Sequence, residues 1–295
     1  MEVTLNVRDA NFKKQYLKEY GLQSFIQFYF QHYHGYPCSL TNPQSLSEKI
    51  QWLKLHAKLE KYACFVDKYE VRSFIKETIG DEYLIPLLGV YSTVEEINFA
   101  QFPNQFILKA THGSGWNELV LDKKMLDIER IREKGQQWLD TNYFEISGEP
   151  NYLPMNGRLI VEENIAEEDK DLKDYKFFCF KGEPIFIQVD SQRAESHKRN
   201  IFNVDWEPLE FQLLYPKLEE PILKPTMLNE MLLIAKDLSK NFLFVRVDLY
   251  QSSSKVYFGE LTFTPGSGFV CFNPVEYDYF LWIDGRSVSL LKMPS

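Results

Sequence analysis

Two acidic residues stand in neighbouring apolar runs toward the C-terminal end. Asp248 lies in FLFVRVDLY (242–250) and Glu260 in VYFGELTFTPGSG (256–268). Strand alternation puts Arg246 and Asp248 on one face, with Leu243, Val245, Val247 and Leu249 on the other. Glu260 and Thr262 share a face in the same way. The polar turn QSSSK between the runs predicts an antiparallel hairpin, with Asp248 and Glu260 within a residue or two of facing each other. Facing carboxylates repel unless a cation lies between them, and paired hard oxygens are what Mg²⁺ needs when it carries nucleotide phosphates. A solvated acidic edge is the alternative. It loses ground because the strands are too apolar for an edge and an arginine accompanies the acids. A metal site at Asp248 and Glu260 is the expectation.

A second stretch, Phe106-Ile-Leu-Lys109-Ala-Thr-His112-Gly113-Ser114-Gly115-Trp116, delivers one lysine from an apolar strand straight into a small glycine loop. Such a loop lets backbone N–H groups approach phosphate oxygens, and the ammonium of Lys109 neutralises charge. It is neither a Walker A loop nor GxGxxG, and a plain turn is the competing reading. Between the two stretches, Arg158-Leu-Ile-Val-Glu162-Glu163-Asn164-Ile165 is a strand ending in acids, where an adenine could lie against backbone at a hinge.

These residues need elements to hold them. Ser45-x-x-Glu48 is a capping box, and Leu46, Ile50, Leu53 and Ala57 then fall on one helix face. Asp67 to Arg72 opens a helix with the stripe Val71, Phe74, Ile75 and Ile79, stopped at Gly80. A strand is predicted over 83–91, a short helix capped by Ser92 and Glu95, a hairpin of 106–109 with 118–121, and a helix over 128–140. From Asp174 the pattern is mostly β. A hairpin turns at Lys181-Gly182-Glu183-Pro184, and one helix, over 226–240, follows Pro225. The first 60 or so residues read as helical. Their aromatic cluster from Phe25 to Tyr36 suits core packing or a dimer contact better than a membrane-associated partner. His32-x-His34 would be a metal pair on a strand, but no third ligand stands beside it.

In this order the pieces resemble the ATP-grasp superfamily, and within it the TupA-like family of teichuronopeptide and polysaccharide biosynthesis. The resemblance is carried by NPQSLSEKIQWLKL (42–55), DKYEVRSFI (67–75), FILKATHGSG (106–115), LIVEENI (159–165), DYKFFCFKG (174–182), NVDWEPL (203–209), RVDLY (246–250) and GELTFTPGSG (259–268). It implies an α+β, ATP-grasp fold in which two subdomains clasp ATP. That gives an N-terminal helical extension over 1–60, a phosphate-loop subdomain over 61–165 and a metal-site subdomain over 166–295. By resemblance, Lys109 with Gly113, Ser114 and Gly115 holds phosphates, His112 and Trp116 border that loop, and Lys68 and Lys176 add positive charge. Glu162, Glu163 and Ile165 would hold adenine. Asp248, Glu260 and Thr262 would hold Mg²⁺, with Thr262 standing where many members carry an asparagine ligand. Arg246 would stabilise acyl-phosphate or tetrahedral oxygens.

The implied activity is ATP-dependent ligation of a carboxylate to an amine through an acyl phosphate, on a uronic acid of a bacterial surface polysaccharide or its precursor. A sugar kinase, or a non-catalytic nucleotide-binding partner of a glycosyltransferase complex, is the alternative. The acceptor is least legible. The basic run Gln192-Arg193-Ala-Glu-Ser-His197-Lys198-Arg199 is a clamp for an anionic sugar or a salt-bridging loop. Arg193 is its expected functional member, because the family tends to carry an arginine there. The acidic run 167–171 reads as an exposed loop.

Composition agrees. In 295 residues, 44% hydrophobic and 15% aromatic, a large core can be buried, and a net charge of −9 argues against general nucleic-acid binding. Cys38, Cys64, Cys179 and Cys271 form no CxxC pair and read as buried thiols of a reducing compartment. With no signal pattern and no long apolar run, a cytoplasmic protein without a membrane span is expected, working as a homodimer or beside polysaccharide-assembly enzymes.

Overall fold

The structure, a computed structural model, describes residues 6–167, 171–193 and 196–280. The chain divides into two compact units. One comprises Met1–Thr41, Ile50–Glu70 and Pro86–Asn164; the other comprises Asn42–Lys49, Val71–Ile85 and Ile165–Ser295.

The first unit begins with the helical segment Ala10–His34, opened by Asp9, whose carboxylate accepts from the Phe12 N–H. Gly21, at φ 76° and ψ 171°, breaks this segment in two. The second half folds back on the first, so that Phe28 packs on Phe12 and Tyr16 and the Tyr29 hydroxyl donates to the Val7 carbonyl. Phe25, Tyr29 and Phe30 are buried, which makes the aromatic cluster a core. His32 and His34 lie on helix rather than strand, and His34 stacks on Phe30.

The sheet of this unit is built from β1 (Leu87–Tyr91), β2 (Phe106–Ala110), β3 (Asn117–Val120) and β4 (Leu159–Glu163). Its order is β1-β4-β2-β3 and every pairing is antiparallel. Phe106, Leu108, Ala110, Leu159 and Val161 form one packed face with Ile131 and Trp138 of the Ile128–Leu139 helix. That helix starts where Asp127 accepts from the Arg130 N–H. The helix expected after Ser92 is absent. It is Glu96, not Glu95, that reaches back to the Ser92 and Thr93 amides, and a turn results. The strand expected over 83–91 starts only at Leu87, after a short 3₁₀ turn at Asp81–Tyr83.

The second unit is organised by a five-stranded antiparallel sheet. Its strands are β5 (Asp174–Phe180), β6 (Glu183–Ser191), β7 (Lys198–Asn203), β9 (Phe244–Ser252) and β10 (Lys255–Thr262), in the order β10-β9-β5-β6-β7. The short strands β8 (Gln212–Leu213) and β11 (Phe272–Asn273) form a separate pair. Lys181 and Gly182, both at positive φ, make the two-residue turn between β5 and β6. Phe177, Cys179, Ile187, Val189, Val245, Val247 and Leu249 are buried on one side of the sheet. The Leu228–Ser239 helix meets that side, and the Cys179 thiol reaches the Ala235 carbonyl. Leu243, expected on this apolar face, precedes β9 and is exposed.

The capping box forms as read. Glu48 N–H donates to Ser45 Oγ at 3.2 Å, and the Glu48 carboxylate accepts from the Gln44 and Ser45 amides. Of the four cysteines, Cys38 and Cys179 are buried, but Cys64 and Cys271 are exposed. Among the described residues no helix is long and apolar enough to cross a membrane.

One irregularity decides which residues share a face. The β9–β10 register steps from Phe258↔Leu249 to Glu260↔Asp248, leaving Gly259 as a bulge. Were Gly259 paired regularly with Asp248 instead, Glu260 would oppose Val247 and project to the apolar side. A Cβ at Gly259 would stand 2.9 Å from the Tyr250 ring and 3.0 Å from the Asp248 carbonyl oxygen. Gly259→Val is therefore expected to destabilise the protein by about 1–3 kcal/mol, as overpacking does. A lowered urea midpoint would report it, and an unchanged midpoint would show that the bulge has room to spare.

Candidate functional site

In the first unit the residues singled out for phosphate gather around the β2–β3 turn. Lys109 projects from the face of β2 opposite the packed core, and its ammonium meets Glu162 of β4 at 2.7 Å. Lys68 is bonded to the same turn. Its backbone N–H donates to Thr111 O, and its Nζ donates to Gly113 O at 2.6 Å. Ser114 and Gly115 are exposed at the tip, where Gly115 takes φ +73°. Gly113 is required because a Cβ there would stand 2.3 Å from the Trp116 ring.

His112 is spent inward. Its ring is buried, Nε2–H donates to Trp138 O at 2.9 Å, and that tautomer leaves Nδ1 buried with no hydrogen-bond partner among the described residues. Burial lowers its pKa and keeps it neutral. Only the backbone of His112 is left to face a ligand. Glu163 is exposed at the end of β4, while Ile165 belongs to the second unit, where its carbonyl accepts from Ser252 Oγ.

In the second unit the sheet carries a ladder of polar residues on the side opposite the Leu228–Ser239 helix. Register alone lines them up. Glu260, Asp248, Lys176 and Gln188 run across four strands, flanked by a row of Tyr250, Asp174, Asp190 and Arg199. Thr262 and Arg246 oppose each other one step further on. Asp248 has no solvent exposure. Arg246 grips it with two bonds, Nε to Oδ1 at 2.6 Å and Nη2 to Oδ2 at 2.7 Å. The same Nη2 reaches Glu260 Oε1 and Thr262 Oγ1, both at 3.1 Å. Lys176 lies between Asp174 and Asp248, its Nζ 2.5 Å from a carboxylate oxygen of each.

Four expected residues, Arg246, Asp248, Glu260 and Thr262, thus form one connected group, with Lys176 joined through Asp248. Arg193 joins too, donating to Asp174 Oδ2 at 2.9 Å. Arg199 instead holds Asp190 through two bonds of 2.6 and 3.0 Å, so it follows the salt-bridging reading of its loop. His197 stacks on Tyr215. Ala194 and Glu195 of that loop, and residues 168–170 of the acidic run, lie outside the described residues.

Sequence reasoning missed Asp174, Asp190, Gln188 and Tyr250. The signal was available: Asp174 and Lys176 alternate as Arg246 and Asp248 do, and Gln188 and Asp190 repeat the spacing. Asp174 Oδ1 is buried and accepts no hydrogen bond among the described residues.

Burial opposes every charge here, and the neighbours decide the outcome. It would lower Lys176, but Asp174 and Asp248 overcome it and hold the amine above the ordinary lysine value. Arg246 is likewise pulled up by Asp248 against its own burial. Burial pushes the Asp248 carboxyl up, against Arg246 and Lys176. Burial would also raise Asp190, yet the Arg199 bonds and charge bring it down to about 2.

Among the described residues no three His, Cys, Asp or Glu side chains form a metal cluster. The donor set is two carboxylates and a hydroxyl. That suits Mg²⁺, which binds through one or two carboxylates and takes its remaining oxygens from phosphates and water. Arg246 holds the carboxylates by the same oxygens, so a cation there must exchange with the guanidinium.

The sequence profile described as TupA-like ATP-grasp matches residues 48–284. The chain belongs to that family. No curated protein matches it. Among solved structures the TupA-like chain is similar to D-alanine–D-alanine ligase from Bacillus anthracis, at 16% identity and a TM-score of 0.43. That match covers 69% of this chain and 58% of the ligase. The ATP-grasp ligase PsnB, complexed with its minimal precursor, gives 11% and 0.40 over 74% and 59%. D-alanine–D-alanine ligase from Helicobacter pylori gives 17% and 0.39 over 77% and 64%. The chain spans less than two thirds of the length of each.

The Asp190–Arg199 pair generates a pH prediction. A carboxyl held at about 2 against an ordinary 3.8 stabilises the fold fully above about pH 4 and loses that contribution as pH falls toward 2. The difference amounts to about 2 kcal/mol. Urea unfolding between pH 4 and 2 is expected to show that loss in the wild type and a flatter profile in Asp190→Asn. Equal slopes in both would refute the assignment.

Proposed function

We propose that this TupA-like ATP-grasp protein is an ATP-dependent ligase that joins a carboxylate to an amine, with Mg²⁺ and ATP as cofactors. The carboxylate is proposed to be a uronic acid of a bacterial cell-surface polysaccharide or its precursor. The observation that carries the reading is the register-matched group of Asp248, Glu260 and Thr262 under one guanidinium, in a chain whose family is established. Two acids and a hydroxyl suit a hard cation on phosphates, and an arginine beside them suits oxygens on which charge develops.

In this reading a carboxylate oxygen attacks the γ-phosphorus of ATP. An O–P bond forms, the bond to the β-phosphate oxygen breaks, and ADP leaves. The amine nitrogen then attacks the acyl carbon; a C–N bond forms, the C–O bond to phosphate breaks, and phosphate leaves while the amine gives up a proton. Lys109, Lys68 and the amides of 113–115 bind phosphate oxygens, Glu162, Glu163 and Ile165 adjoin the adenine, and Arg246 with Lys176 neutralises charge gathered on the transferring group. Mg²⁺, held by Asp248, Glu260 and Thr262, would supply neutralisation of the phosphate charge. Arg193, half-exposed beside Asp174, is proposed to orient the acceptor's anionic group.

The reading is tested by hydroxylamine trapping. With ATP and a uronic acid acceptor but no amine, hydroxylamine is expected to yield a hydroxamate, with ADP and phosphate in equal amounts. Arg246→Lys, which keeps the charge but loses the two-toothed grip, is expected to lower the trapped yield at least roughly tenfold. A stable phosphorylated sugar without hydroxamate would replace the ligase with a kinase. No ADP from a broad panel of carboxylates would leave a nucleotide-binding partner without catalysis.

A further inference from the structure

A cavity of about 490 Å³ in the first unit takes no part in the phosphate and metal assignments above. Its polar lining comes from Cys64, Asp67, Glu70, Ser92, Asn156 and Arg158, with the backbone of Gly157. The volume is that of a small-molecule site.

The cavity backs directly onto the β2–β3 turn. Lys68, next to Asp67 in the chain, bonds both Thr111 and Gly113. Thr111 N–H donates to Arg158 O, and the Arg158 N–H donates to Thr111 Oγ1. A Cβ at Gly157 would stand 2.2 Å from the His112 ring, so this wall has no side chain between cavity and turn.

The lining carries two carboxylates and one guanidinium, and no lysine. Arg158 donates to Glu70 and stacks over the Tyr69 ring with its central carbon 4.6 Å from the centroid. That fixes the guanidinium and uses a single Nη2 bond. Among the described residues Nε and Nη1 of Arg158 make no hydrogen bond. Asp67 is almost fully buried, and its Oδ1 accepts from the Tyr69 and Glu70 amides. Among the described residues its Oδ2 accepts no hydrogen bond, and its Oδ1 also lies 3.8 Å from Arg158 Nη2. The wall therefore offers a spare acceptor with excess negative charge beside spare guanidinium donors.

We propose that this cavity binds an amino acid as its zwitterion, with the ammonium on Asp67 and Glu70 and the carboxylate on Arg158. A phosphate or a uronic acid meets two carboxylates against one guanidinium, and an apolar ligand leaves Asp67 Oδ2 without a donor. A ligand with one ammonium and one carboxylate satisfies all three groups. As the seat of the amine substrate the cavity depends on the ligase reading. As an amino-acid site it does not.

Cys64 supplies a probe in the unaltered protein, because its thiol is exposed and lines the cavity, while exposed Cys271 serves as the internal control. Alkylation of each is followed by peptide mass spectrometry with pools of L- and D-amino acids, their N-acetyl derivatives, and ethylamine. Amino acids are expected to slow alkylation of Cys64 several-fold without slowing Cys271, and neither the acetylated pool nor ethylamine should match them. Asp67→Asn, which keeps the Oδ1 cap, and Arg158→Gln are expected to weaken the protection roughly ten- to a hundredfold in ligand concentration. No protection by any pool, equal protection by ethylamine, or equal slowing of Cys271 would overturn the proposal. Protection without any ATP turnover would keep this site and remove the ligase. Turnover with an amine that leaves Cys64 unprotected would keep the ligase and remove this site.

Discussion

Asp248 has no access to water, and two cations are bonded to it. A buried carboxylate in that position is stable only while its partners stay, and removing one of them from such a group costs about 3–5 kcal/mol. Much of the second unit follows from that demand. Lys176 must reach from β5 and Arg246 from two residues back on β9, which fixes both strands with their polar sides together. Asp174 then compensates the other side of Lys176, and Arg193 compensates Asp174. The opposite side is left free for the apolar residues of β5, β6 and β9, and the Leu228–Ser239 helix packs on those strands. Such a face is costly to build and gains little for stability alone. That imbalance is what ties it to the ligand chemistry proposed for it.

Both units keep candidate ligand-binding groups occupied by the protein's own atoms. Lys109 holds Glu162, Lys68 holds the Gly113 carbonyl, and Arg246 holds Asp248, Glu260 and Thr262. The ion pairs among these, Lys109 with Glu162 and Arg246 with Asp248, bring opposite charges together at low solvent exposure, where electrostatic interactions are strong. A ligand that enters must therefore exchange partners rather than fill bare sites. Phosphates can take the lysines while a cation takes the acids, so the exchange is balanced in charge. A neutral sugar could satisfy neither side.

Much of this was readable in the sequence because alternation is a direct record of facing. Arg246 and Asp248, Glu260 and Thr262, and the apolar residues between them follow from period two, and the capping box at Ser45 follows from local chemistry. What escaped is what alternation does not encode. The bulge at Gly259 brings Glu260 directly opposite Asp248, and a bulge is a skipped residue that no pattern marks. Asp174 and Asp190 enter the ladder through cross-strand register, which is set by pairing between distant segments. Gly21 looks like any glycine in a helical run until Tyr16 is found against Phe28. Ser92 and Glu95 had the right spacing for a cap, but Glu96 competed for the same amides. Cys64 looked like a core thiol because spacing says nothing of a cavity beside it.

We propose that the acidic residues under Arg246 hold the divalent cation of a bound nucleotide. Mn²⁺, in place of Mg²⁺, gives an electron paramagnetic resonance signal that reports this directly. ATP is expected to make the wild-type protein bind Mn²⁺ tightly. In Glu260→Gln that binding should weaken roughly tenfold or more while nucleotide affinity, measured separately, changes little. Unchanged ATP-dependent Mn²⁺ binding in Glu260→Gln and Asp248→Asn, with both variants folded, would contradict it and place the cation elsewhere.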